Sequence, residues 1–96
     1  MEERDCIYVS RDFPKWKYYK DATIMTAYLH LAMSASPEDG STDVTPEMLA
    51  KKWKTKVEKM NECVSVLKDE GLIRVDGDKI YVIENQYVRF SPPEEE

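Results

Sequence analysis

The hydrophobic pattern of the chain changes its period at Gly71. In the stretch before this glycine, apolar residues recur at three- and four-residue spacing, at Val57, Met60, Val64 and Leu67. That spacing predicts the inner face of a helix. After Gly71 the segments LIRV and KIYVI alternate with a period of two around Asp76-Gly77, which predicts a β-hairpin. Gly71 itself suits a left-handed helix cap, with Leu72 folding back onto the last turn.

Two more helices are predicted earlier in the chain. Residues 22–35 carry apolar side chains around a wide arc, which predicts a central helix, and Asp21 is placed to cap it. Residues 36–44, SPEDGSTDV, are predicted to be a loop because Ser, Pro, Asp and Gly break regular structure. Thr45-Pro46 then opens a second helix, since Thr caps well and Pro suits the first helical position.

A short break is predicted between the second and third helices. The second helix is expected to bury three apolar side chains, those of Met48, Leu49 and Trp53. Lys54-Thr55 then interrupts the helical pattern. Thr55 and Glu58 match a T-x-x-E capping box, so the third helix is predicted to start at about Lys56.

Short β-prone segments lie near both ends of the chain. Residues 6–9, CIYV, are expected either to pair as a strand or to pack as an N-terminal arm. Residues 85–91, NQYVRFS, are expected to pack back onto the domain through three side chains, Tyr87, Val88 and Phe90.

The predicted order of elements is helix, helix, short break, helix and hairpin. This is the order of a winged helix-turn-helix, in which three helices bury one core and the C-terminal hairpin forms the wing, so the expected fold class is α+β. One domain is expected over residues 1–91, with a disordered start at residues 1–5, and residues 92–96 are expected to form an acidic tail. Such folds often place the third helix in a DNA major groove, although fold alone does not fix function.

Composition and residue spacing exclude several functional classes. The 96 residues contain no apolar run near the roughly 20 residues that span a membrane. The acidic start, MEERDC, is unlike a secretory signal, so we expect a cytoplasmic protein with reduced thiols at Cys6 and Cys63. The lone histidine, His30, has no partner at catalytic or metal-ligand spacing, and three glycines supply no phosphate loop. We expect no enzyme activity, no cofactor and no metal site.

Basic residues are concentrated in two segments although the net charge is -5. Residues 51–59 hold five lysines, and we predict that this region binds duplex DNA through Lys51, Lys54, Thr55, Lys56, Lys59 and Asn61. Lysines bind phosphates as point charges, and Asn61 is suited to an adenine edge. Two glutamates on the same helix, its lack of arginine and two aspartates at the hairpin tip oppose this prediction. The alternative is a solvated, charged face.

The second basic segment, residues 11–20, contains lysines interleaved with aromatic residues as KWKYYK. Such a pattern either stacks nucleic-acid bases beside phosphate contacts, or packs the rings inside with the lysines in solvent. We expect the aromatic rings to be mainly structural. The alternative is a secondary contact or self-association surface made by Tyr8, Lys15, Trp16, Lys17 and Tyr19.

The stretch WKYYKDATIMTAYLHLAMSA resembles the N-terminal module of phage replisome organisers and of primosomal DnaD-like proteins. That family shows a tryptophan, a Tyr-Lys-Asp-like trio and a helix with a Leu-His-Leu-like centre. The matching residues here are Trp16, Tyr19, Lys20, Asp21, Tyr28, Leu29, His30 and Leu31. TPEMLAKKW and VEKMNECVSVLKDEGLI resemble the helix-turn-helix of the same module, so the resemblance covers residues 6–83.

The chain departs from that family in two respects. The turn usually carries Gly, an apolar residue and a Ser cap, where this chain has Lys54, Thr55 and Lys56. The 96 residues also do not include the family's second domain, which makes further contacts to DNA and in helicase loading.

The resemblance implies a non-enzymatic winged helix that binds duplex DNA in replication and self-associates as a homodimer. One alternative is a protein-interaction and oligomerisation module without DNA binding, in which residues 6–9 pair across a dimer. Another is a small acidic phage inhibitor that occupies the basic nucleic-acid channel of a host protein. The expected partners are therefore duplex DNA, a second copy of the chain, and replication or host proteins, but no membrane.

Overall fold

A computed structural model of the chain describes residues 7–90. Within this range it contains three α-helices and two small antiparallel sheets, which confirms the expected α+β class. The elements are β1 (Tyr8–Val9), a 3-10 helix (Phe13–Lys15), α1 (Ala22–Ser34), β2 (Ser41–Thr42), α2 (Pro46–Lys52), α3 (Val57–Asp69), β3 (Ile73–Asp76), β4 (Lys79–Val82) and β5 (Val88–Arg89). The predictions for residues 1–5, Cys6 and the acidic tail at residues 92–96 lie outside the described residues.

The helix starts predicted for α1 and α2 are confirmed. The Asp21 carboxylate accepts the N–H groups of Thr23 and Ile24 at 3.1 and 3.2 Å. The Thr45 hydroxyl accepts the N–H of Met48 at 3.2 Å, and Pro46 is the first residue of α2. Each cap satisfies N–H groups that have no partner inside the helix, which fixes where the helix begins.

The capping box predicted at Thr55 and Glu58 is wrong. Because α3 begins at Val57, Lys56 occupies the cap position, and it makes no side-chain cap hydrogen bond. Thr55 lies one residue too early, and its N–H donates to the carbonyl of Ala50 at 2.9 Å. Thr55 therefore belongs to the end of α2 and not to the start of α3.

The end of α3 has the predicted left-handed cap. Gly71 has a φ of +79°, and its N–H donates to the carbonyl of Lys68 at 3.0 Å. The N–H of Leu72 donates to the carbonyl of Leu67, also at 3.0 Å. These two bonds form a Schellman motif, which needs a left-handed residue and lets Leu72 return to the core.

The core lies where α3 packs against α1 and α2 and against the first strand of the hairpin. The predicted inner face of α3 is largely confirmed, since Met60 and Leu67 are buried while Val57 and Val64 are half-buried. Cys63 is buried beside them, as expected for a small apolar side chain, and burial raises the pKa of its thiol.

The buried side predicted for α2 is partly wrong. Leu49 is completely buried, whereas Met48 is 53% exposed and Trp53 is 45% exposed. Met48 lies about 100° around the helix from Leu49, so it turns away from the core. Trp53 follows the last residue of α2, and its ring meets that of His30 on α1 edge-on, with 6.2 Å between centroids. Ala50 completes the buried side instead.

The hairpin predicted after Gly71 is confirmed, but it pairs with a strand that the sequence pattern missed. The three-stranded sheet has the order β2-β4-β3, in which Ser41 and Thr42 of β2 pair with β4. These two residues lie in the segment predicted to be a loop. The sequence pattern misses the strand because its two residues, Ser and Thr, show no apolar alternation. The hairpin loop is Gly77-Asp78, one residue later than predicted, since Asp76 pairs with Lys79.

The second sheet joins the two ends of the described chain. Tyr8 and Val9 of β1 pair antiparallel with Arg89 and Val88 of β5. The β-prone start therefore pairs as a strand within its own chain. The predicted packing of the C-terminal segment is confirmed, since Val88 and Phe90 are buried and Tyr87 is half-buried.

A single side-chain amide, that of Asn85, connects the C-terminal segment to α1. Its Nδ2 donates to the hydroxyl of Tyr28 and to the carbonyl of Ile83, both at 2.9 Å. Its Oδ1 accepts the N–H groups of Tyr87 and Val88 at 2.7 and 3.3 Å. Tyr28 is completely buried, and this burial raises the pKa of its hydroxyl. Asn85 thus satisfies a buried hydroxyl and fixes the turn that starts β5.

We expect Asn85→Ala to lower the free energy of unfolding by about 1–3 kcal/mol, the usual cost of leaving buried polar groups unpaired. Urea unfolding followed by circular dichroism measures this loss. Tyr28→Phe is the matched control, because it removes the hydroxyl that Asn85 satisfies, so Asn85→Ala should cost less in that background. Equal costs in both backgrounds would contradict a coupling between the two side chains.

Candidate nucleic-acid interface

The turn between α2 and α3 is held by backbone hydrogen bonds around a left-handed lysine. Lys54 has a φ of +55°, the one positive φ of a non-glycine residue among residues 7–90. The N–H of Lys54 donates to Lys51 O at 3.4 Å, and that of Thr55 donates to Ala50 O at 2.9 Å. This is the same Schellman pattern that ends α3 at Gly71. Lys54 therefore takes the left-handed position that Gly71 takes at the end of α3.

The predicted lysine cluster lies exposed on this turn and on the first turn of α3. Its members are Lys51, Lys52, Lys54, Lys56 and Lys59, all of them exposed. Among residues 7–90, no carboxylate lies within 4.0 Å of any of these five amines. Thr55 is exposed between them. We call these five lysines the lysine turn, and its positive charge is available to an external anion.

Asn61 is exposed but does not share a face with the lysine turn. Successive residues of a helix are separated by about 100°, so Asn61 and Lys59 lie about 200° apart on either side of the buried Met60. The face between them, opposite the core, carries Glu58 and Glu62. The outermost face of α3 is therefore acidic, which opposes its insertion into a DNA groove.

Trp16 of KWKYYK is structural, as expected, and the alternative that it forms part of a contact surface is wrong. Its side chain is only 6% exposed, because it packs against the rings of Phe13, Tyr28 and Tyr87 with centroids 5.8 to 6.2 Å apart. The indole N–H donates to Glu70, which caps the C-terminus of α3, at 3.3 Å. Trp16 therefore anchors the segment before α1 onto the core.

The other residues predicted for the secondary contact surface differ in whether their charges are paired and in how exposed they are. The Lys17 amine lies 3.1 Å from the Glu70 carboxylate, and the Lys15 amine lies 3.5 Å from Asp12. Tyr19 is 39% exposed, with its ring edge-on to Phe13. Tyr8 is half-buried on β1, where it pairs with Arg89 of β5.

The hairpin adds little positive charge that an external anion could use. Arg74 lies 3.7 Å from Asp76 and stacks over the ring of Tyr81 at 4.2 Å. The Lys79 amine lies 2.9 Å from the carboxylate of Asp43. Both aspartates of the hairpin tip are exposed, as the sequence indicated, so phosphate would be repelled there.

Sequence reasoning missed Trp53 as a candidate site residue. The sequence pattern places it on the buried side of α2, yet it is 45% exposed and stands within the lysine turn. The available signal is the segment KKWKTK at residues 51–56, which interleaves lysines with an aromatic residue as KWKYYK does. His30 beside it is half-buried, and burial together with the Lys52 charge lowers its pKa.

The described chain contains no group of three or more His, Cys, Asp or Glu residues placed to hold a metal ion. Over the same residues, no helix is long and apolar enough to cross a membrane. Comparison of the chain with protein-family models, with curated proteins and with solved structures gave no match.

We expect Lys54→Gly to raise the free energy of unfolding by up to about 1 kcal/mol. A side chain in the left-handed region costs about 1–2 kcal/mol, part of which the greater freedom of glycine in the unfolded chain offsets. Lys54→Ala removes the same charge but keeps Cβ, so it should give no such gain. Gly71→Ala is the reverse change and should destabilise, because Gly71 shares this conformation. Equal stabilities of the Lys54→Gly and Lys54→Ala variants in urea would contradict the expected strain.

We expect Glu70→Gln to lower the melting temperature at neutral pH by an amount that shrinks in acid. Hydrogen bonds from Lys17 and then from Trp16 hold the pKa of Glu70 below its ordinary value of 4.5. The carboxylate therefore stabilises the folded state fully above pH 4.5, and this stabilisation is lost as the pH falls through the folded-state pKa.

Thermal unfolding of wild type and Glu70→Gln between pH 7 and pH 3 measures this difference. Gln keeps an oxygen for the Trp16 indole, so the comparison isolates the charge pair with Lys17. A gap in melting temperature that stays constant down to pH 3 would assign the effect to something other than that charge.

Proposed function

We propose that this chain is a winged helix-turn-helix that binds DNA through the lysine turn. The order α1, β2, α2, α3, β3, β4 supports the fold proposal, with α2 and α3 as the helix-turn-helix and the hairpin as the wing. The sheet order β2-β4-β3 supports it further, because the strand between α1 and α2 pairs with the second strand of the hairpin. The resemblance of residues 6–83 to replisome-organiser and DnaD-like modules adds a role in DNA replication to the proposal.

The observation that carries the DNA-binding proposal is the unpaired charge of the lysine turn. Five exposed lysines occur within nine residues, and the described carboxylates leave all five amines uncompensated. Each lysine that contacts a phosphate releases condensed counterions, which drives binding even for a protein of net charge -5. The contacts are to the backbone rather than to base edges, because the outer face of α3 is acidic.

A protein-interaction function is the second candidate, and self-association is part of it. Strand β1 pairs on one side with β5, and Val9 on it is 50% exposed. A short strand at a sheet edge is a site where a second chain can add by backbone hydrogen bonds. This candidate predicts concentration-dependent homodimers, or complexes with replication or host proteins, without DNA affinity.

The test is fluorescence anisotropy of a labelled duplex with wild type and with Lys54→Glu/Lys56→Glu/Lys59→Glu. We expect wild-type binding to weaken with salt, because phosphate contacts dominate, and the triple variant to lose it. Loss of up to three phosphate contacts would make the slope of log K against log salt concentration less negative by up to about 2.7.

The matched control is Lys20→Glu/Lys68→Glu/Arg89→Glu, which makes the same change in net charge at three exposed basic residues outside the lysine turn and the predicted secondary contact. Duplex affinity that falls equally in both triple variants would mean that net charge, and not the lysine turn, controls binding. Absence of wild-type binding at low salt would overturn the DNA proposal, and light scattering over a concentration series would then test self-association.

A further inference from the structure

A cavity lies directly beside the lysine turn. It has a volume of about 220 Å³ and is lined by Ala22, Thr23 and Thr26 of α1, by Trp53 and Thr55 of the turn, and by Met60 of α3. Its lining combines an aromatic residue and apolar residues with three threonines. Such a site is suited to a flat, apolar group whose edge carries hydrogen-bonding atoms.

Trp53 forms an exposed aromatic wall of this cavity. Its backbone N–H donates to the carbonyl of Leu49 at 2.9 Å, which fixes the residue at the end of α2. The ring of His30 supports the indole edge-on, yet the side chain remains 45% exposed. The indole is therefore held in place while much of it remains open to a ligand. Trp16, the other tryptophan, offers no such surface because it is buried.

Positive charge is concentrated on the same side of the molecule as the cavity. Lys52, Lys54 and Lys56 lie within three residues of Trp53 and Thr55 in the turn. Lys59 directly precedes Met60, the residue of α3 that lines the cavity. The start of α1 lines the cavity through Ala22 and Thr23. A ligand seated there therefore meets lysines around an aromatic wall.

We propose that this cavity binds an unpaired base of single-stranded DNA, which stacks on Trp53 while the lysine turn binds the adjoining phosphates. Charge complementarity identifies the ligand, because each flat, apolar base of a nucleotide strand lies beside a negatively charged phosphate. Stacking on an aromatic ring accepts any base, and the hydroxyls of Thr23, Thr26 and Thr55 both donate and accept hydrogen bonds.

This proposal rests on the proposed function, because both use the lysine turn for phosphate, but it changes the preferred substrate. Bases in a duplex are stacked on one another and present only their edges, so a protein ring cannot stack on them without unpairing them. The acidic outer face of α3 disfavours reading those edges in the major groove. The site therefore prefers single-stranded over duplex DNA of the same length.

The experiment measures anisotropy of three labelled ligands of equal length: an oligo-dT, the same strand annealed into a duplex, and a strand of abasic sites. The abasic strand keeps the phosphates and removes the bases. The proteins are wild type, Trp53→Ala, Trp53→Phe and Met48→Ala. Met48 is the matched control, since it is an exposed apolar side chain of α2 that does not line the cavity.

We expect Trp53→Ala to weaken oligo-dT binding by roughly 5- to 100-fold, the range for loss of one base–aromatic stacking contact, with little effect on the duplex. Trp53→Phe should keep part of the affinity, and Met48→Ala should keep all of it. Wild type should bind oligo-dT more tightly than the abasic strand, and Trp53→Ala should remove that preference. Circular dichroism and melting temperature verify that each variant is folded.

The outcomes separate the two proposals. If the triple variant at Lys54, Lys56 and Lys59 loses the duplex while wild type binds oligo-dT and the abasic strand equally, the base site is overturned and the DNA-binding function stands. If wild type binds none of the three ligands, both are overturned. The comparison of oligo-dT with the abasic strand uses wild type alone, so a Trp53 variant that fails to fold does not prevent the test.

Discussion

Burial of the Tyr28 hydroxyl is the constraint on which much of the structure depends. A buried hydroxyl without a partner is costly, and here one amide, that of Asn85, supplies the hydrogen bond at 2.9 Å. The same amide binds the N–H groups that start β5, so the C-terminal segment is fixed against α1. The rings of Phe13, Trp16 and Tyr87 then complete the core around these elements. Because β5 pairs with β1, this one interaction also positions the strand that precedes α1.

Helices and the hairpin could be predicted because each depends on local sequence. Asp21, Thr45-Pro46 and Gly71 satisfy backbone groups within a few residues, so their effect is visible without knowledge of the fold. Strand β2 could not be predicted, since Ser41 and Thr42 become a strand only by pairing with β4, almost forty residues away. The capping box at Thr55 failed for a related reason. Thr55 completes the end of α2, where its backbone N–H donates to the carbonyl of Ala50.

The candidate site could be predicted only in part, for reasons that the two tryptophans illustrate. KWKYYK and KKWKTK have the same mixture of lysine and aromatic residues, yet Trp16 is buried and Trp53 is 45% exposed. Trp16 lies next to a 3-10 turn that directs it onto α1, and Glu70 at the C-terminal cap of α3 accepts its N–H. Trp53 follows the last residue of α2, and the ring of His30 on α1 meets it edge-on. Composition identifies both segments, but only the packing of distant helices decides which ring is available.

The net charge of -5 limits the kind of contact through which the proposed DNA site can act. Long-range attraction to a polyanion follows the overall charge, which is unfavourable, while contacts shorter than the Debye length of about 8 Å follow the local lysines. Affinity must therefore come from groups that touch the ligand. Phosphate contacts weaken as salt rises, whereas stacking on an aromatic ring has no counterions to release. In the proposed site, the exposed ring of Trp53 supplies a short-range contribution that does not depend on net charge, beside the lysines that we propose bind the phosphates.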